Sequence, residues 1–401
     1  MKYIVVLCDG MSGRPLEELD GKTPLEVANK PNMDYIASHG NSGMLKTIYS
    51  DLPADSGVAN LTVLGYDPHK YYPGRGPLEA MNMNIQLGKR DIALRCNTIT
   101  EKDGVLDDYS AGHITSEESK RIIGYANEKF GNDLVSFHSG IKYRHVLVLK
   151  SKYSIEVECH PPHDISGQKV SENLVKPLKP EAKETASLLN DIILKSKEFL
   201  EDHEVNVRRL KEGKNPANML WPWGAGKKPE IPSFKKMFGV EGSIISAVDI
   251  INGIGRVVGL EIIKIPGVTG YLDTNYEGKA DGALKSLEEK DFVYIHIEST
   301  DECGHEGNIE HKVQAIEDID RRVIGRILDK IEGDYAIGVL PDHSTPISVK
   351  THTDDPVPFT VYCTREEKMD SVKNYSEKMV KEGHYGLKEG VEFMKILTKR
   401  H

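Results

Sequence analysis

Three short apolar runs in this chain end on acidic residues. Val5-Val6-Leu7-Cys8 leads into Asp9. Phe292-Val293-Tyr294-Ile295-His296-Ile297 leads into Glu298 and then Asp301, and Tyr335–Leu340 leads through Pro341 into Asp342. β-Branched and aromatic residues in runs of this length suit strands. If the sheet is mainly parallel, all three strands deliver their acids to one edge, the carboxyl edge where open α/β sheets bind ligands. His305, His343 and His352 follow in the connections at that edge. Asp301 and His305 are read as lying in the turn between the strand and a following helix, whose apolar positions run Val313, Ile316, Ile319, Val323, Ile327, Ile331. Asp oxygen and His nitrogen both ligate Zn²⁺ or Mn²⁺. Three of each on one edge is a count suited to two cations, an arrangement that holds a phosphate and neutralises both the attacking and the leaving oxygen.

The rest of the chain frames that edge. At 401 residues it is long for one domain, and 38% hydrophobic residues suffice for real cores. A net charge of −10 with dispersed Lys and Arg argues against a nucleic-acid surface. No run approaches the roughly 20 apolar residues of a membrane span. Residues 2–7 read as a first strand rather than a signal peptide. Five scattered cysteines without a CxxC fit reduced thiols and a cytoplasmic location. Thr23-Pro24 signals a helix start, residues 44–48 a second strand, 244–258 a helix, and 261–265 and 360–363 further strands. Between about 81 and 229 the strand-then-acid pattern stops. There residues 86–100 alternate like a strand, 105–108 resemble a hairpin edge, 116–130 and 184–203 are helical and 144–150 form a strand. The chain therefore reads as one α/β domain, residues 1–80 and 230–401, with an α+β domain, 81–229, inserted into it.

Ser56 adds a nucleophile. It follows the turn Pro53-Ala54-Asp55 at the start of an apolar segment, where it could cap a helix. A serine hydroxyl becomes nucleophilic when a bound cation lowers its pKa, and a helix start offers N–H groups to a phosphate.

Taken together, Cys8-Asp9-Gly10-Met11, Asp55-Ser56-Gly57-Val58-Ala59-Asn60-Leu61 with Leu64-Gly65-Tyr66-Asp67-Pro68, Asp301-x-x-x-His305-Glu306-Gly307, Pro341-Asp342-His343-Ser344-Thr345-Pro346 and Thr351-His352-Thr353 resemble cofactor-independent phosphoglycerate mutases of the archaeal type, members of the alkaline phosphatase superfamily. The resemblance runs the length of the chain with the motifs in order. It implies an alkaline-phosphatase-like α/β sheet sandwiched by helices, with an inserted cap. It also implies two divalent ions, Mn²⁺ or Zn²⁺ with Mg²⁺ as a further candidate, and no bisphosphoglycerate. The first ion would be held by Asp301, His305 and His352, the second by Asp9, Asp342, His343 and the Ser56 oxygen. The implied reaction interconverts 3- and 2-phosphoglycerate, a step of glycolysis and gluconeogenesis, through phospho-Ser56, with the cap excluding water. The partner is a small phosphorylated metabolite, not a nucleic acid or a membrane; the sequence gives no oligomeric state.

Recognition of phosphate and carboxylate calls for cations, and Arg forks match both. The candidates are Arg95, Arg144, Arg208, Arg209 and Lys264; Lys264, ahead of Pro266-Gly267, resembles the family's phosphate-contacting lysine. His160 and His163 are candidate acid–base groups. One stretch departs from the family: Trp221-Pro222-Trp223-Gly224-Ala225-Gly226 carries Trp where an Arg is usual before Gly-Ala-Gly. The chain also resembles a mutase-like subgroup proposed as homoserine kinases, which makes homoserine, in threonine synthesis, the alternative acceptor. A third reading is a non-catalytic sensor of a phosphorylated metabolite.

Overall fold

The structure, a computed structural model, describes residues 1–399. It divides into two compact units, residues 1–72 with 231–401, and residues 73–230. Residues 73–80, grouped with the first segment on sequence, thus fall in the inserted unit. The helix Arg75–Asn82 packs on the strands Ile92–Lys102 and Met219–Lys227, so its apolar face is buried within that unit.

The first unit is built on an eight-stranded sheet in the order Glu261–Ile262, Gly242–Ile245, Phe292–Ile297, Lys2–Cys8, Tyr335–Leu340, Val357–Cys363, Asn41–Lys46, Gly386–Glu389. The first five are mutually parallel, and only Val357–Cys363 runs against the rest. Lys2–Cys8 lies between Phe292–Ile297 and Tyr335–Leu340, with Cys8 opposite Ile297 and Leu7 opposite Leu340. The three strands expected from their acidic ends are therefore adjacent and aligned. Both faces are covered. Ile4, Val6, Val293, Ile295, Ile337 and Val339 pack against Tyr276, Ala280 and Leu287 of one helix and Ile316, Val323 and Ile327 of another segment. On the other face, Gly338 leaves room for Phe393 and Leu397. Each fully buried aliphatic side chain contributes roughly 1.5–3 kcal/mol relative to exposure, which is why these strands are uninterrupted apolar runs.

Some elements differ from their sequence reading. The segment read as helical over 244–258 is a strand, Gly242–Ile245, followed by a helix, Asp249–Val258. A short apolar run does not separate a buried strand from a buried helix by periodicity alone, and here Ile244 pairs with Tyr294. The second strand is Asn41–Lys46, earlier than expected. The helix beyond Gly307 comprises Ile309–Asp318, a π-helical stretch Ile319–Gly325, and Arg326–Lys330. Within the π-helical stretch the Asp320 carboxylate accepts from the amides of Asn32 (3.2 Å) and Met33 (2.7 Å), capping the helix Pro31–His39.

The inserted unit has its own sheet, with Ile92–Lys102 paired to Arg144–Leu149 on one side and Met219–Lys227 on the other. The helices Ser116–Phe130 and Lys183–Leu200 cover a separate core that includes Leu94, Ile122, Leu147, Ile192 and Trp221. No helix among the described residues is long and apolar enough to cross a membrane, and the five cysteines are unbonded.

Candidate active site

The site grows from the carboxyl edge of the first unit's sheet. Asp9 directly follows its strand, tied by its amide to Ile297 O at 2.9 Å. Asp342 and His343 follow the strand Tyr335–Leu340 after one intervening residue, Pro341. Asp301 and His305 do not sit in a turn, as read from sequence, but on one face of the helix Ser299–Glu306, which starts two residues after its strand and ends at Gly307 with φ 75°. The four-residue spacing then places both side chains together, with His305 Nε2 3.1 Å from Asp301 Oδ2. His352 is returned by a loop whose Thr353 amide bonds Ser344 O (3.0 Å), and its ring stacks on that of His343 at 3.8 Å between centroids. Ser56 is the first residue of the helix Ser56–Val63. The cap is Asp55, whose carboxylate accepts from the Val58 amide, so the Ser56 hydroxyl is left for other partners.

His343 Nε2 lies 3.3 Å from Asp9 Oδ1, 3.6 Å from Asp342 Oδ2 and 3.3 Å from Ser56 Oγ. His352 Nε2 lies 3.6 Å from Asp301 Oδ1 and 3.1 Å from His305 Nε2. The six expected Asp and His residues and Ser56 are therefore gathered. Asp9, Asp342 and His343 form one group able to hold an ion; Asp301 and His352 form a second, with His343 also in reach, and with His305 at the distances just given.

The donor set suits divalent cations. Ligand atoms bound tetrahedrally at about 2.0–2.2 Å stand roughly 3.3–3.6 Å apart, close to the separations here. All three imidazoles are oriented alike. His305 Nδ1 faces Lys350 O (3.0 Å) and His352 Nδ1 faces Ala54 O (2.8 Å). A carbonyl only accepts, so each Nδ1 carries the hydrogen. The Thr345 hydroxyl donates to Asp301 Oδ1, which leaves its oxygen to accept from His343 Nδ1 (3.2 Å). With Nδ1 the nitrogen that keeps its hydrogen, each Nε2 faces the site and offers it a lone pair once the ring is neutral, the arrangement typical of metal-bound histidine. Asp9 Oδ1, fully buried, has no hydrogen-bond partner, a cost that a cation would remove.

Electrostatics agree. Burial, then the nearby Asp342 and Asp301, hold the Asp9 carboxyl well above the ordinary range. Burial also pushes Asp301 upward, but hydrogen bonds from His305 and His352 outweigh it and hold it well below. His305 is raised to about 9, chiefly by Asp301, while burial lowers His343. The edge concentrates negative charge that needs positive partners.

Several supporting residues were not singled out from sequence. Lys312 Nζ donates to Gly10 O (2.8 Å) and Thr345 O (2.6 Å), and Lys279 Nζ to His296 O (2.9 Å). Burial lowers each amine to about 8. A lysine standing in the apolar stripe of an amphipathic helix was the available signal. Asn60, which bonds Asp342 Oδ2 at 2.7 Å, likewise interrupts the buried, mainly apolar run Val58–Val63. His296 Nε2 approaches Asp9 Oδ2 at 3.0 Å, without hydrogen-bond alignment.

The substrate-side candidates separate. Lys264 is exposed just beyond the strand Glu261–Ile262, past the same carboxyl edge. In the inserted unit, strand register puts Arg95 opposite Trp223 and Arg144 opposite Asn97 on one face. Arg95 and Arg75 stand 5.3 and 5.9 Å from the Trp223 ring, and His163 packs against its edge at 5.5 Å. Trp223 Nε1 donates to Asn97 Oδ1 (3.0 Å). Arg75 had no sequence signal. Arg95 and Arg75 share one carboxylate, Glu79, at 2.9 and 3.8 Å. His160 contributes a backbone carbonyl to Trp221 Nε1. Arg208 instead pairs with Glu118 (3.0 Å) at the surface, and the buried Arg209 is consumed by Glu118 and the carbonyls of Ala111, Gly112 and Asn215.

Comparison with known proteins gives one consistent result. Residues 37–206 match the family model described as 2,3-bisphosphoglycerate-independent phosphoglycerate mutase. A protein of that name from Methanosarcina barkeri (strain Fusaro / DSM 804) is 48% identical over 402 residues, covering all of both chains. Among solved structures, the PH0037 protein from Pyrococcus horikoshii superposes with a TM-score of 0.84 at 32% identity, covering 99% of this chain and 96% of that one. The cofactor-independent phosphoglycerate mutase from Thermoplasma acidophilum DSM 1728 gives 0.69 at 30% identity, covering 100% and 99%.

Proposed function

Because the chain belongs to the 2,3-bisphosphoglycerate-independent phosphoglycerate mutase family, we propose that it interconverts 3- and 2-phosphoglycerate in the cytoplasm through a phosphoserine at Ser56. The observation that carries this reading is the placement of Ser56 Oγ, 3.3 Å from His343 Nε2 at the start of a helix, beside Asp9 and Asp342.

Ser56 Oγ attacks the phosphorus of 3-phosphoglycerate. The Oγ–P bond forms, the bond from phosphorus to the 3-oxygen breaks, and the serine proton ends on that oxygen. The 2-hydroxyl of the retained glycerate then attacks phospho-Ser56; its O–P bond forms, Oγ–P breaks and the proton returns to the serine. No water, oxidant or second phosphoryl donor enters. Asp9, Asp342, His343 and Ser56 would hold one divalent ion, Mn²⁺ or Zn²⁺, and Asp301, His305 and His352 the other. Such ions, when bound, neutralise phosphoryl charge and lower the serine pKa. The helix start at Ser56 presents amides to the phosphoryl oxygens. Lys264 is assigned to the phosphate; Arg95, Arg144 and His163, with Arg75, are assigned to the glycerate carboxylate. The inserted unit is assigned the exclusion of water that would otherwise hydrolyse phospho-Ser56. Arg208, spent on Glu118, is a weaker substrate group. Homoserine as acceptor is not favoured, since full-length relatives carry the mutase name.

The test is direct. With Mn²⁺ and 3-phosphoglycerate but no bisphosphoglycerate, 2-phosphoglycerate should form. Ser56→Ala should lower kcat at least ~10³-fold with an unchanged melting temperature. Phosphohomoserine from homoserine and ATP, with no mutase turnover, would reverse the assignment.

A further inference from the structure

Asn60 is the buried amide on the second turn of the nucleophile helix; the other buried polar residue there, Thr62, returns its hydroxyl to the helix's own Val58 carbonyl (2.8 Å). Its neighbours Val58, Ala59, Leu61 and Val63 are buried and apolar, and Asn60 itself is 0% exposed. Asn is a poor residue for a helix interior, and burying its amide is costly unless every group is bonded. Here each is. Asn60 Nδ2 donates to Asp342 Oδ2 (2.7 Å) and to the backbone carbonyl of Ser56 (2.8 Å). Asn60 Oδ1 accepts from the hydroxyl of Tyr294 (2.7 Å), which is also 0% exposed and stands on the central strand Phe292–Ile297. The carboxylate and the carbonyl can only accept, so the amide orientation is fixed without ambiguity.

We infer that Asn60, oriented by Tyr294, is the positioning residue that sets the distance between the Ser56 nucleophile and the Asp342 carboxylate. One amide nitrogen bridges the backbone of the nucleophile and a ligand of the ion beside it. Asp342 accepts from the Gly10 amide (3.2 Å) and the His343 amide (2.9 Å) at Oδ1. The Asn60 bond fixes the other oxygen, Oδ2, while leaving it a lone pair for a cation. The bridge thus orients a ligating carboxylate, a role whose loss costs about 10–100-fold in metal affinity, and ties the helix carrying Ser56 to the same oxygen. The second ligand group receives no bond from Asn60, so the effect is specific to one ion. This inference rests on the two-ion phosphoserine reading above.

The test uses the full-length enzyme, stripped with chelator and titrated with Mn²⁺ by calorimetry, alongside thermal melts and initial rates. Asn60→Leu keeps the volume and deletes all three bonds; Tyr294→Phe removes only the hydrogen bond that orients the amide. Asn60→Leu should weaken one of two Mn²⁺ sites ~10–100-fold and leave the other as in the wild type. Its loss of rate should fall in kcat rather than KM. Tyr294→Phe should shift the same site in the same direction by less. Two wild-type Mn²⁺ affinities in a folded Asn60→Leu chain would overturn the inference, as would equal weakening of both sites, which marks general loosening. If Asn60→Leu does not fold, an unchanged isotherm for Tyr294→Phe is the refuting result. A wild-type chain that binds fewer than two ions would overturn the two-ion reading itself, seen before any variant is compared.

Discussion

At the scale of the residue, the tightest constraint on the site is Gly10. It turns the chain out of the first strand at φ 60°, in the left-handed region. A Cβ there would collide with Asp301 Oδ1 and come within 2.5 Å of Thr345 Oγ1. Gly10→Ala should therefore displace Asp301 and the threonine that orients His343. The expected result is a loss of at least ~1 kcal/mol of stability and weaker Mn²⁺ binding, measured by urea unfolding and by titration; an unchanged affinity would show that Asp301 is not a ligand. The acids and histidines were legible because a buried parallel strand advertises its own end: an apolar run stops and a charged residue begins. Asn60, Lys312 and His296 were not, because their partners lie 282, 302 and 287 positions away in the chain. A polar residue in an apolar helical stripe signals burial, but nothing local says which distant group it bonds. Arg75 illustrates the same limit, since its position over Trp223 depends on how the helix Arg75–Asn82 packs on the strand Met219–Lys227.

At the scale of the element, the helix Ser116–Phe130 shows how local signals and tertiary charge combine. Thr115 and Glu118 form a capping box, and Glu118 also receives Arg208 and Arg209. Burial alone would raise the Glu118 pKa; the Thr115 hydroxyl and amide and the two guanidiniums outweigh it and lower it to about 2. A depressed carboxylate stabilises the fold above its unfolded pKa of about 4.5, and that contribution is lost as pH falls toward 2. Unfolding of the inserted unit, followed by urea between pH 7 and pH 3, should lose up to ~2 kcal/mol that Glu118→Gln lacks throughout, after allowing for partial solvent screening. An identical pH slope in the variant would contradict this. The helix's bounds were readable because cap, amphipathic stripe and terminal Gly131 coincide. The bounds around Asp301 were not: a single connecting residue, Glu298, leaves no room for a turn signal before the next helix begins. Nor was the π-helical stretch. The steps Ile319, Val323, Ile327, Ile331 are fours in succession, overrunning a 3.6-residue period, and a wider turn takes up the drift.

At the scale of the whole molecule, the ions proposed for the edge should act as structural ligands as well as catalytic ones. Three buried carboxylates are poorly compensated by protein cations alone, and anything that binds only the folded state stabilises it. An ion present at about 100 times its Kd adds ~2.7 kcal/mol, or roughly 5–10 °C in Tm for a unit of this size. Chelator should lower the melting temperature of the first unit by about that much per ion, spare the inserted unit, and abolish activity, with Mn²⁺ restoring both. A calorimetric trace indifferent to chelator would deny the ions that role. The division into two units also has a consequence for synthesis. The strand Lys2–Cys8 lies between strands that begin at Phe292 and Tyr335, so it has neither neighbour while most of the chain is still being made. At about 5–20 residues per second, Asp9 leaves the ribosome roughly 20–70 s before Asp342 joins it. The inserted unit, contiguous from residue 73 to 230, is complete well before then. The nascent protein therefore spends much of its manufacture with one finished module and one waiting, apolar edge, which is the interval in which a chaperone would matter most.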